Sequence, residues 1–346
     1  MRHFRSILFW VSNLFVLWVL TACTPVAAQA PDLSTLPTPV SAMAQEVATA
    51  TKTARVPTLK ASPISARTLT PQFTIPAGLT PSATPDTRLS PEKWQNWPVI
   101  PTISTRAIQL YRAGLAQGNN PNAFSKIGDC QNITSHFLGE FDNPQTYKLG
   151  STFEYLQPVI NQFQGMFKRE SAAVRSGYNV AAVLSPLQAD PDICKAGESP
   201  VACELRINKP SIVIISLETW WAKRPAQEYE KYMRQILDLV IAQKALPILA
   251  TKADNLEGDH SVNATLARLA YEYDIPLWNF WKAVQPIPNG GLSDDGFHLS
   301  HDSQRPDDPL FYQRLSDPKA WNYGWTVRNL TALQVLDAVW RQIRVP

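Results

Sequence analysis

The chain has 346 residues, 45% hydrophobic and 18% charged, an ordinary globular composition, yet its 29 prolines are too many to spread through one compact domain. Eleven of them fall between Pro25 and Pro91 in a stretch rich in Thr, Ala and Ser, which leaves roughly 250 foldable residues, enough for one domain and too few for a multidomain enzyme. A net charge of +3, from 32 Lys+Arg against 29 Asp+Glu without a block of like charges, excludes the electrostatic footprint of a nucleic-acid binder.

Arg2, His3 and Arg5 precede an uncharged run over 7–20, and small residues follow, which is the order of a secretory signal. The run is shorter than the roughly 20 residues of a membrane-spanning helix, so export outweighs a permanent transmembrane anchor. Leu20-Thr21-Ala22-Cys23 resembles the bacterial lipobox. That resemblance implies cleavage before Cys23, acylation of its sulfur, and an exported lipoprotein held at the extracytoplasmic face of a membrane or at the cell surface. The membrane is then a partner through the N-terminal lipid, several acyl chains giving stable attachment where one would not. A plain secretory peptide with an incidental cysteine is the alternative. Residues 1–23 are therefore expected to be a lipoprotein signal peptide with its lipobox at Cys23.

Residues 24–92 lack helical or alternating periodicity, and Pro recurs with Thr, Ser and Ala, so this segment is expected to be a disordered linker. As a flexible coil it would average about 45 Å end to end, and as polyproline II it would approach 200 Å, the reach of a tether.

Residues 93–346 read as one α/β domain. A helix is expected over 105–117, closed by Gly118-Asn119-Asn120-Pro121. Five apolar runs follow, at 123–127, 178–184, 211–217, 246–250 and 275–280, separated by helical stretches at 153–175, 229–243 and 261–273 and closed by a helix over 326–343. Strands alternating with helices imply a parallel sheet covered on both faces, and the IVIIS run has the β-branched character of a central strand. Reacting groups in such sheets lie at the carboxyl ends of strands. There the sequence places Gly128-Asp129-Cys130 after the first run, Ser216-Leu217-Glu218-Thr219 after the third, and Asp295-Gly296-Phe297-His298 beyond the fifth.

An Asp three residues before a His can hold one imidazole nitrogen while the other takes a nucleophile's proton, and Cys130 beside Gly128, which permits a sharp turn, is the strand-end nucleophile. This order resembles the SGNH/GDSL hydrolase superfamily over about residues 100–345: a GDS block after the first strand, a glycine after the second, a G-x-N-D block after the third and D-x-x-H near the C-terminus. The resemblance implies a three-layer α/β/α sandwich with a five-stranded parallel sheet, flavodoxin-like in arrangement. It further implies ester hydrolysis or acyl transfer through Cys130, His298 and Asp295, with Gly177, Asp129 and the position of Glu218 in the oxyanion and supporting roles. Two departures stand out: cysteine replaces the family's serine, and Glu218 stands where an oxyanion asparagine is expected. A thiolate formed by a neighbouring His is a competent acyl acceptor. A charged Glu218 about 4 Å from an oxyanion would oppose it by about 4 kcal/mol, unless it is protonated in apolar surroundings such as Trp220 and Trp221 or paired with an arginine.

Cys194 and Cys203 flank a short loop in an exported chain and are assigned to a disulfide that leaves Cys130 free. No metal or cofactor motif is present; His301 follows His298 by three residues without a second ligand cluster. Two functions stand open: a surface hydrolase acting on an acylated carbohydrate or small ester, and a non-catalytic carbohydrate- or envelope-binding lipoprotein of the same fold.

Overall fold

The computed structural model describes residues 88–219, 224–302 and 314–344. The signal segment with Cys23, the linker up to residue 87 and the Trp220-Trp221 pair lie outside the described residues. No helix among the described residues is long and apolar enough to cross a membrane.

The fold is α/β. Four parallel strands, β1 (Asn120–Gly128), β2 (Pro210–Ser216), β3 (Leu246–Ala250) and β4 (Leu277–Trp278), lie side by side in chain order. β2 and β3 are buried along their whole length, which fits their continuous apolar character. Period-two alternation sends Ile212 and Ile214 into one core with Phe124, α1 (Thr105–Gln117) and α8 (Gly324–Ile343). Val213 and Ile215 enter the opposite core, with α4 (Pro200–Asn208), α5 (Ala226–Ala242) and α6 (Ser261–Tyr273). Both faces of the sheet are therefore covered. α1 begins where the Ser104 hydroxyl accepts the Ala107 N–H and ends at Gly118, whose left-handed φ of +99° closes the last turn.

Among the described residues the sheet has four strands where five are expected. Residues 178–184 form a turn and a short 3-10 helix (Ala182–Leu184), because the Asn179 side chain accepts the Ala181 and Ala182 N–H groups and draws them out of an extended path. The edge of β1 away from β2 is met instead by a single parallel bridge between Gly128 and Val174. The apolar run at 275–280 contributes only Leu277 and Trp278, since the Asn279 side chain accepts the Lys282 N–H and starts α7 (Phe280–Val284). The helix expected over 153–175 breaks into α2 (Gly150–Phe153), a 3-10 turn and α3 (Gln157–Gln162). Pro158, which has no N–H for the preceding turn, sits at the start of α3. Cys194 and Cys203 are joined in a disulfide, with Cys203 on α4.

The end of β1 is shaped by close packing. Gly128 has no left-handed φ. A Cβ there would lie 2.0 Å from Asn132 Nδ2 and 2.2 Å from Asn132 Cγ, and Asn132 is fully buried with its Nδ2 donating to the Ser216 carbonyl at 2.7 Å. The glycine makes room for the Asn132 amide; it does not supply the sharp turn expected from the sequence. Gly128→Ala is expected to destabilise the domain by about 1–3 kcal/mol as an overpacking change. Urea unfolding at an unchanged m-value measures this, and a wild-type midpoint would show that the Asn132 contact yields without cost.

Candidate functional site

The site is assembled at the carboxyl ends of β1 and β2. Beyond Gly128 the chain turns through Asp129 into a 3-10 turn, Cys130–Asn132. The fully buried Asp129 carboxylate accepts the Gln131 N–H through Oδ1 at 3.1 Å. Its Oδ2 takes the N–H groups of Glu218 and Thr219 at 2.6 and 2.8 Å and the Thr219 hydroxyl at 3.0 Å. One side chain thus satisfies backbone donors from two strand ends that would otherwise be buried without partners. Asp129 is a clamp between the turn that carries Cys130 and the segment that carries Glu218.

The D-x-x-H segment is organised by its own carboxylate. Asp295 Oδ1 accepts the N–H groups of Phe297 and His298, both at 2.9 Å, and Oδ2 lies 2.6 Å from His298 Nδ1. The hydrogen bond from His298, followed by the Phe297 N–H, holds the Asp295 carboxyl down at about 2. The two side chains are 49% and 53% exposed, so the dyad opens to solvent. Gln131, the neighbour of Cys130, donates from Nε2 to the carbonyl of Phe297, the neighbour of His298, at 3.1 Å. The two turns are thereby tied side by side.

Cys130 is half-buried and unpaired. Burial, followed by the charges of Asp129 and Glu218, pushes its thiol up to about 12, with its own backbone N–H and Arg328 pulling weakly the other way. The resting sulfur is therefore a thiol, and no hydrogen bond between Cys130 and His298 is present among the described residues. Gly177 sits on an exposed turn with a φ of +82°. It lies three residues beyond Val174, whose parallel bridge to Gly128 directs that segment past the same end of β1 as Cys130.

Glu218 is buried. Its Oε1 accepts the Ser216 hydroxyl at 2.7 Å and lies 2.9 Å from Arg328 Nη1, close enough for an ion pair but without the angle of a good hydrogen bond. Arg328, on α8, is fully buried and faced by the rings of Phe137, Trp278 and Phe280 at 4.8, 5.3 and 5.0 Å. Burial raises the Glu218 carboxyl to about 7; Arg328 opposes that rise, while Asp129 and Asp254 add to it. At the end of β3, Lys252 pairs with Asp254 and Glu257 at 2.6 and 2.5 Å and gives that buried cluster its own compensation. Sequence reasoning passed over Arg328. The signal was its spacing, since Trp325, Arg328, Ala332 and Leu336 recur at helical intervals on the buried side of α8.

No protein-family model matches the chain, and no curated protein does either. Function therefore rests on the site's own geometry. Because Glu218 holds its proton more tightly when folded than at its ordinary 4.5, its contribution to stability is complete below about 4.5 and is lost as pH rises through about 7. The melting temperature is expected to fall over that window in wild type and to lose this component in Glu218→Gln. Thermal unfolding followed by circular dichroism across pH 5 to 8.5 checks it, and superimposable pH dependences would remove Glu218 as the titrating group.

Proposed function

We propose that the chain is an exported lipoprotein whose domain hydrolyses or transfers an acyl ester in the manner of the SGNH/GDSL hydrolases. Cys130 is the nucleophile, His298 the base and Asp295 the group that orients it. The observation that carries this reading is the Asp295 carboxylate: it accepts three hydrogen bonds from its own turn, one from His298 Nδ1, and the turn is tethered through Gln131 to the residue beside Cys130. A solvent-facing histidine held in one tautomer, on a turn tied to the turn of a strand-end thiol, is what general-base attack builds on. The SGNH-like fold is supported by the parallel order β1-β2-β3-β4 with Val174 bridged to the far edge of β1, where that fold's remaining strand would run.

In this mechanism the thiol loses its proton to His298 Nε2 as the sulfur attacks the ester carbonyl. The alcohol departs with that proton, leaving a thioester on Cys130, and water activated by the same imidazole releases the acid. By resemblance to the family, the oxyanion falls to the N–H groups of Cys130 and Gly177, while Asp129 fixes the turn that carries Cys130. Glu218 does not act as a bare charge: paired with Arg328, it adds no net charge, so most of the repulsion of about 4 kcal/mol calculated for an isolated carboxylate is cancelled. An acylated envelope carbohydrate or a small ester suits the open dyad and the extracytoplasmic location. The second reading, a non-catalytic binding lipoprotein, is favoured by the high position of the Cys130 thiol and its lack of a hydrogen bond to His298.

Wild type is expected to cleave a short activated ester at least about a hundredfold faster than Cys130→Ala or His298→Ala, with an acyl group trapped on Cys130 in quenched samples. Equal rates in wild type and Cys130→Ala would transfer support to the binding reading. For the anchor, the mature protein is expected to partition into a detergent phase and Cys23→Ser to stay in the aqueous phase; partition of both alike would refute lipidation at Cys23.

A further inference from the structure

We propose that Arg328 is the positioning residue of the Cys130 site and works as one unit with Glu218, a proposal that rests on the reading of Cys130 as the nucleophile. Its guanidinium reaches three places at once. Nε donates to the carbonyl of Gln131 at 3.0 Å, which fixes the backbone beside Cys130. Nη2 donates to the Ser216 hydroxyl at 2.7 Å and lies 3.5 Å from Asn132 Oδ1, and Nη1 faces the Glu218 carboxylate at 2.9 Å. One planar fork therefore holds the nucleophile turn in register with the end of β2, a task a point-charge ammonium cannot perform.

A buried ion pair could serve packing alone, but the position of this one argues for more. The groups facing it are Asp129 and Cys130 from the β1 end, Ser216 from the β2 end, Asp254 from the β3 end, and the Tyr229 hydroxyl on α5, which donates to the Leu217 carbonyl at 2.9 Å. Asp254 is compensated by Lys252, and Asp129 is spent on backbone donors. The sulfur consequently feels Glu218 and Arg328 as opposed charges, the first disfavouring thiolate and the second favouring it. Removing either should move the sulfur's titration, and in opposite directions. A purely structural pair would alter the accessibility of Cys130 without shifting its profile along the pH axis.

The test uses the full chain and the rate of Cys130 alkylation by iodoacetamide from pH 7 up to about pH 12, where the profile bends, beside the rate of ester cleavage. Glu218→Gln is expected to speed alkylation at pH 9 by about tenfold, one pKa unit of thiolate, by shifting the profile to lower pH. Adding Arg328→Gln to that variant is expected to return the rate toward wild type. The double variant contains no unpaired charge from this pair, so the comparison survives if Arg328→Gln alone fails to fold. Arg328→Lys is expected to keep the alkylation profile, since the charge remains, yet lose at least tenfold in ester cleavage, since the fork does not. The proposal is overturned if Glu218→Gln alkylates as wild type does, if the double variant stays as fast as Glu218→Gln, or if Arg328→Lys cleaves ester at the wild-type rate. Opposed shifts in alkylation without any ester cleaved by wild type would uphold the joint action of Arg328 and Glu218 on the sulfur while removing the hydrolase reading.

Discussion

The carboxylate of Asp129 is the constraint from which the rest of the strand-end chemistry follows. It is fully buried, and a polar group is tolerated there only when it is fully hydrogen-bonded, which three backbone N–H groups and the Thr219 hydroxyl accomplish. Two of those N–H groups belong to Glu218 and Thr219, so the clamp that joins the two strand ends also draws a second carboxyl-bearing residue into the same interior. Two neighbouring buried carboxylates cannot both ionise without a cation, and α8 supplies one as Arg328. Burial is the main cause of the raised Glu218 carboxyl and the raised Cys130 thiol, and the neighbouring carboxylates add to it.

How Arg328 comes to be buried follows from the same geometry. Its Nε and Nη2 each donate to an oxygen, Nη1 lies within ion-pair distance of Glu218, and its faces meet Phe137, Trp278 and Phe280. A guanidinium is weakly hydrated along its faces and strongly directional at its edge, so aromatic walls with oxygen acceptors at the rim replace much of the water it leaves. The aromatic residues come from the turn after β1, from β4 and from α7, which makes the charge pair a junction of several elements. Loss of one partner alone would strand the other, whereas loss of both would leave only a packing defect.

Much of the fold was legible because its signals are local. Ser104 and Gly118 bound α1 by capping rules, and the β-branched run of β2 marks a central strand. The misjudged segments are those where a side chain competes with a strand or where proline restarts a helix. The run 178–184 is apolar enough for a strand, but Asn179 curls its backbone, and the stretch around Pro158 has helical periodicity without helical continuity. The same division runs through the site. Asp295 and His298 sit three residues apart, so a spacing rule finds them. Arg328 meets Gln131 across 197 residues of sequence, a separation at which only the completed fold brings a cation to a carboxylate. The structure also changes the meaning of Gly128, whose value is the space it leaves for Asn132 and not the angle of a turn.

Under the proposed hydrolase reading, cysteine at the position of the family's serine makes sense against this electrostatic background. A thiol outside the protein ionises far more readily than a hydroxyl, and a histidine neighbour normally exploits that by storing a thiolate. Here burial and two carboxylates remove the advantage and leave the sulfur protonated until attack. The sulfur must then behave as a hydroxyl would, releasing its proton to the base as the bond to carbon forms, with no ion stored in the resting state. Such a thiol is protected from the oxidation that consumes exposed thiolates. It also places the burden of rate on orientation, because a proton that moves only during attack requires the base to be held in place beforehand. The three hydrogen bonds that Asp295 receives and the Gln131 tether between the two turns meet that requirement on one side, and the Arg328 fork on the Gln131 carbonyl meets it on the other.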